Sequence, residues 1–111
     1  GKKYIIYETE EKGKEYNIYD NDILIFEGEY KNGKRNGKGK EYYPNGKLKY
    51  EGEYINGKRH GNGKEYNCKT GDLLFEGEYI NDNRLSGKKY NKNGNIILEL
   101  KKIKGLIKEY S

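Results

Sequence analysis

The sequence predicts an all-β protein: a single-layer antiparallel meander of about ten short strands. Three observations carry that expectation. "FEGEYKNGKRNGKGKEY" (Phe26 to Tyr42) returns as "YEGEYINGKRHGNGKEY" (Tyr50 to Tyr66), so the chain repeats itself. Within a copy, Leu48, Tyr50, Gly52 and Tyr54 alternate with Lys47, Lys49, Glu51 and Glu53, the two-residue period of a strand. Asn45-Gly46, Thr70-Gly71 and Asn93-Gly94 punctuate the copies as turns.

The repeat sets the organisation. An aromatic followed by E-G-E-Y falls at Phe26, Tyr50 and Phe75, at spacings of 24 and 25. A second anchor, G-K-[E/K]-Y, begins at Gly13, Gly39, Gly63 and Gly87. The chain therefore reads as one domain, 1–111: a degenerate unit 1–22, repeats 23–46, 47–71 and 72–94, and a degenerate capping unit 95–111. In each end unit a 13-residue stretch, Tyr4 to Tyr16 and Leu98 to Tyr110, finishes in K-E-Y and reads as the same unit with a shortened middle, as terminal repeats that cap a solenoid do.

Each unit holds two strands. The first recurs as Leu24-Phe26-Gly28-Tyr30 and Leu73-Phe75-Gly77-Tyr79. A glycine inside a strand lets a neighbour approach closely, so a Tyr ring is expected over Gly52. The second strand is K-E-Y, reached through a longer loop, N-G-K-R-x-G-x-G, whose glycines permit positive φ. Ten strands at ~4.8 Å each give a sheet roughly 45 Å long. The last segment, "NIILELKKIKGLIKEYS", admits two readings. As strand, Ile96, Leu98 and Leu100 continue the aromatic face. As helix, Ile96, Leu100, Ile103, Ile107 and Tyr110 form one apolar stripe, interrupted by Gly105. The K-E-Y ending favours strand, with Lys101, Lys102 and Lys104 guarding its edge, and a monomer is expected.

Composition bounds the function. The 111 residues are 32% hydrophobic and 37% charged, a balance usually too polar for a thick core. Thirteen tyrosines change that, because a Tyr buries its ring and keeps its hydroxyl wet. The net charge is +5, but 23 basic residues are interspersed with 18 acidic ones, which gives a solvated surface more than a polyanion stripe. The single Cys68 excludes an intrachain disulfide and a multi-cysteine metal site. No apolar run reaches membrane-spanning length. With no Met, the sequence is expected to be a processed form or a piece of a longer protein.

Candidate chemistry is sparse, and no cofactor is implied. Glu27 with Glu29, Glu51 with Glu53 and Glu76 with Glu78 sit at i and i+2 on one strand face. On a flat surface they read as solvation and cross-strand pairing with Lys, not as a catalytic pair. His60 has no second ligand nearby, and Cys68 has no base to activate it. The glycine-rich loops could cradle an anion, but no Walker pattern follows them. Their basic residues, Lys34, Arg35, Lys38, Lys58, Arg59, Lys64, Arg84 and Lys88, are expected to line one edge, with loops about 9–10 Å apart. The aromatic face is expected to carry Phe26, Tyr30, Tyr50, Tyr54, Phe75 and Tyr79, joined by Tyr42, Tyr66 and Tyr90. Interleaved aromatic and basic residues also suit single-stranded nucleic acid. That reading needs free rings, which packing between repeats would consume.

"YEGEYINGKRHGNGKEY" resembles the MORN (membrane occupation and recognition nexus) repeat, built around Y-x-G-x-[W/Y]-x-x-G-x-x-x-G-x-G. "YYPNGKLK" is similar to bacterial variants of that repeat, often described as antitoxin-like. The resemblance covers Phe26 to about Gly94 well and both ends loosely. Unit three departs, with Asp82-Asn83 in place of Gly-Lys and Leu85-Ser86 before its loop glycine. The resemblance implies a non-enzymatic scaffold that binds a protein through its Tyr-rich surface. Similarity to the bacterial variants implies a neutralising role towards a toxin partner as one expectation; another copy of the chain is the other. The alternative is peripheral binding of the basic loops to anionic lipid headgroups.

Overall fold

The computed structural model describes the backbone of residues 3–7, 11–103 and 106–110, and the side chains of Ile5 and residues 11–101. Ten strands form one sheet in sequence order: β1 (Lys3–Tyr7), β2 (Lys12–Asn17), β3 (Ile23–Lys31), β4 (Lys34–Tyr42), β5 (Leu48–Ile55), β6 (Lys58–Tyr66), β7 (Leu73–Ile80), β8 (Asn83–Tyr90), β9 (Ile96–Ile103) and β10 (Leu106–Tyr110). Every neighbouring pair is antiparallel. The C-terminal segment is a hairpin, β9 against β10, and not a helix. The longest dimension is 41 Å. The side chains of Lys102 and Lys104, expected to guard the last edge, lie outside the described residues.

The expected long loop is not a loop. The chain reverses in two residues, Asn32-Gly33 and Asn56-Gly57, and the following K-R-x-G-x-G is already strand. Both central residues have positive φ (51° and 77°; 51° and 86°), the pattern of a type I′ turn, whose twist matches that of the flanking strands. Asn81-Asp82 does the same in the third hairpin without a glycine, at φ 47° and 71°. The glycines farther on serve another purpose. Gly37 and Gly61, at φ 100° and 91°, sit where the register against β3 and β5 slips. These are β-bulges, which bend the strand and raise its twist.

The core is a single layer of rings. Phe26, Tyr30, Tyr50, Tyr54, Phe75 and Tyr79 are at most 4% exposed. They meet edge-to-face in one zigzag, Tyr30–Phe26–Tyr54–Tyr50–Tyr79–Phe75, with centroids 5.1–5.8 Å apart. That is the arrangement ring quadrupoles favour. Ile5, Ile25 and Leu100 pack against it. The rings lie over a line of glycines that pair across the sheet from Gly13 through Gly28, Gly39, Gly52, Gly63 and Gly77 to Gly87. A Cβ at Gly63 would come within 2.6 Å of Tyr50 Cζ, and one at Gly52 within 2.5 Å of Tyr50 Oη. The ring expected over Gly52 is thus that of Tyr50, which covers Gly63 across the strand and reaches Gly52 with its hydroxyl.

Candidate functional site

Two polar arrays cross the sheet, one on each face. The first lies among the core rings. Register places Glu15 opposite Phe26, Glu41 between Phe26 and Tyr50, and Glu65 between Tyr50 and Phe75. Each glutamate is the middle residue of a K-E-Y. Each accepts three hydrogen bonds from the following unit. Tyr30 Oη donates to Glu15 at 2.6 Å, and Arg35 Nε and Nη2 donate to the same carboxylate at 2.7 and 2.9 Å. Tyr54 and Arg59 repeat this on Glu41 at 2.6, 2.9 and 3.1 Å. Tyr79 and Arg84 repeat it on Glu65, with Arg84 at 2.8 and 3.0 Å. The guanidinium groups of Arg35, Arg59 and Arg84 stack 4.1, 4.2 and 4.5 Å from the rings of Phe26, Tyr50 and Phe75. At the equivalent place on β8 stands Lys89, opposite Phe75 and Leu98, and the series stops there.

This array overturns the expected basic edge. Arg35, Arg59 and Arg84 turn into the core because planar bidentate pairing and ring stacking satisfy a guanidinium that water would otherwise hold. Lys34 and Lys58 remain exposed beside the hairpin tips, while Lys38 stands on the opposite face. Burial pushes the Glu41 and Glu65 carboxyls up, but the hydrogen bonds and charges of Arg59, Arg84, Tyr54 and Tyr79 outweigh it and hold both below the ordinary carboxylate value. Burial and the adjacent carboxylates push the Tyr54 and Tyr79 phenols far above the usual range.

The opposite face carries Tyr42, Tyr66 and Tyr90, which were expected among the core rings. Strand alternation decides this: Glu41 and Glu65 face the core, so the tyrosine after each faces away. Their hydroxyls donate to Glu27, Glu51 and Glu76 at 2.8, 2.7 and 2.8 Å. Burial and those carboxylates push Tyr42 and Tyr66 up to about 12. Of the eight aromatics expected to meet a partner, Tyr30, Tyr50, Tyr54, Phe75 and Tyr79 are interior, and only Tyr42, Tyr66 and Tyr90 reach this face.

Here charges alternate strand by strand. Lys14, Glu27, Lys40, Glu51, Lys64 and Glu76 are successive cross-strand neighbours, and the ladder continues to Lys88 and Glu99. Two residues along each strand runs a second row that includes Lys12, Glu29, Lys38, Glu53 and Asn62. In it, Glu29 accepts the backbone N–H of Lys38 at 2.6 Å and Glu53 that of Asn62 at 2.9 Å, which ties down the bulges. The paired glutamates are thus split between two structural tasks. Between the rows a groove of about 990 Å³ runs from β2 to β7 over the glycine line. His60 is half-buried on β6, and Cys68 is exposed in the turn after it. Among the described residues no group of three or more metal-ligating side chains assembles, and no helix is long and apolar enough to cross a membrane.

The ordinary pKa of the tyrosines is 10.0 and that of the two glutamates 4.5. The folded glutamates bind protons less readily than the unfolded chain does. Their contribution is complete above about pH 4.5 and lost as pH falls through the folded value. The tyrosines bind protons more tightly when folded, so their contribution is complete below pH 10.0 and lost as pH rises towards about 12. Melting temperatures measured from pH 3 to 12 should show a plateau with an acid and an alkaline limb. A curve that stays flat above pH 10.0 contradicts the tyrosine assignment.

Sequence reasoning missed the buried Glu–Tyr–Arg cluster, although its signal is present. Arg35, Arg59 and Arg84 recur at 24 and 25, the same steps as the core aromatic. Residues 26–47 and 50–68 match the family model described as MORN repeat. The matched segments contain Glu41, Tyr54 and Arg59, one whole cluster. No curated protein matches the chain.

Proposed function

The chain is a MORN-repeat protein, a non-catalytic kind of repeat generally associated with protein and membrane-lipid contacts, and we propose that it is a scaffold holding a protein partner along its grooved face. The observation that carries this reading is the asymmetry of the two faces. The ring face spends its aromatics, arginines and three glutamates on itself. The other face keeps a continuous groove with charged walls across six strands. Tyr42, Tyr66 and Tyr90 flank it, so the Tyr-rich contact surface is these three rings and not the buried six. A toxin polypeptide or a second copy of the chain is a partner of the right kind. The lipid alternative rests on Lys34 and Lys58 once the arginines are withdrawn, with Ile55 and Ile80 exposed at the tips.

Two variants separate these readings. Asn62→Trp fills the groove from an exposed wall position without adding charge, and Trp suits a strand. Lys34→Glu with Lys58→Glu reverses the tips. Immobilised protein should retain its partner in the tip variant and lose at least about ten-fold of it, roughly 1.4 kcal/mol, in Asn62→Trp. Retention that follows the tips instead, together with flotation on vesicles of acidic phospholipid at physiological salt, overturns the groove reading.

A further inference from the structure

The groove has dimensions that choose among polypeptide conformations. Its walls are residues i and i+2 of each strand, whose Cα rows stand about 6.6 Å apart. An α-helix is roughly 10–12 Å across with its side chains and cannot enter. An extended chain can. Along the groove, like charges recur every second strand, which is about 9.6 Å. A β-conformation brings side chains back to one side every ~6.7 Å and drifts out of step at once. A polyproline II chain turns once in three residues, about 9.3 Å, and keeps step along the whole groove.

The sign of the recognised charge follows from which ladder residues are already engaged. Glu27, Glu51 and Glu76 are half-buried and accept tyrosine hydroxyls. Lys40 and Lys64 are exposed, and among the described residues neither lies in an ion pair. They stand two strands apart on the same wall, with Lys88 continuing the series beyond the groove. The chain's net charge of +5 draws the same partner sign.

We infer that the groove binds an extended, polyproline II-type segment of a partner protein carrying Asp or Glu at every third position, read by Lys40 and Lys64. The inference rests on the groove being the partner-binding face and adds the chemistry of the segment. Its registry sets it apart from general attraction to acidic chains. A segment with the same charge at every fourth residue repeats at about 12.4 Å and meets one lysine, not two.

The test uses fluorescein-labelled synthetic peptides and the full chain, read by anisotropy. (Glu-Pro-Pro)5 should bind, and its affinity should fall as salt rises. A Glu-Pro-Pro-Pro repeat of equal charge and a (Lys-Pro-Pro)5 peptide should each bind at least about ten-fold more weakly. Lys40→Gln with Lys64→Gln should lose the (Glu-Pro-Pro)5 signal by a similar factor at an unchanged melting temperature. Lys34→Gln with Lys58→Gln should not. No binding of (Glu-Pro-Pro)5, equal binding of the four-residue repeat, indifference to Lys40 and Lys64, or displacement by a short oligothymidine each overturns the inference. If Asn62→Trp abolishes partner retention while (Glu-Pro-Pro)5 fails to bind, the groove stands as the partner site and only the acidic segment falls.

Discussion

Glu41→Ala should cost about 3–5 kcal/mol, enough to take most of the stability from a domain of this size. The carboxylate accepts Tyr54 Oη and both arms of Arg59. Its loss strands a guanidinium that is largely shielded from water, over the ring of Tyr50, and orphans a phenol that is 2% exposed as a residue. Breaking a buried pair costs far more than the pair contributes, because the remaining charge has nowhere to go. The double variant Glu41→Ala with Arg59→Leu removes that charge and should recover part of the loss. Urea denaturation of the wild type and both variants decides the matter. A double variant no more stable than the single one contradicts the unpaired-arginine account.

The second large effect is expected at Gly63. The ring of Tyr50 occupies the space a side chain would need, and that ring is itself 0% exposed, held by Tyr54, Tyr79 and Arg59. Gly63→Val should therefore cost about 3 kcal/mol and lower the melting temperature by on the order of 10 °C. It does so against the better strand propensity of valine, which makes the sign informative. Gly63 is not among the glycines with positive φ, so the added side chain meets the ring and not an unfavourable backbone conformation. A Gly63→Val melting temperature equal to or above that of the wild type would mean that the ring does not fill that space.

What the sequence made legible was whatever depends on period. Recurrence of E-G-E-Y and K-E-Y gave the strand count and the meander, and alternation gave the rings of Phe26, Tyr50 and Phe75 one face. Register was hidden. Nothing local to K-E-Y says that Glu41 and not Tyr42 stands opposite Phe26, because that depends on how many residues the bulge at Gly37 absorbs. Misplacing that register by one residue turned three tyrosines to the wrong face and left three arginines outside. The loop reading of N-G-K-R failed for a related reason. A basic, glycine-rich stretch looks irregular until Arg35 is known to have a carboxylate one unit away. The groove was expected to be lined by tyrosines, and its charged walls were hidden, since they need the register of six strands at once.

The Glu–Tyr–Arg cluster also has a direction. Each unit donates Tyr and Arg backwards and offers Glu forwards, and the junction before one repeat is chemically the same as the junction after it. A chain lacking residues 47–71 would bring Arg84 and Tyr79 to Glu41, where Arg59 and Tyr54 had been, and a duplicated 47–71 would insert one more such joint. Among the described residues Lys89 breaks the series, since it presents an ammonium where the next unit would need an acceptor. The span of the protein is thus a quantity that recombination between similar stretches of its coding sequence can change by whole hairpins while the Glu–Tyr–Arg contacts at the seam are kept.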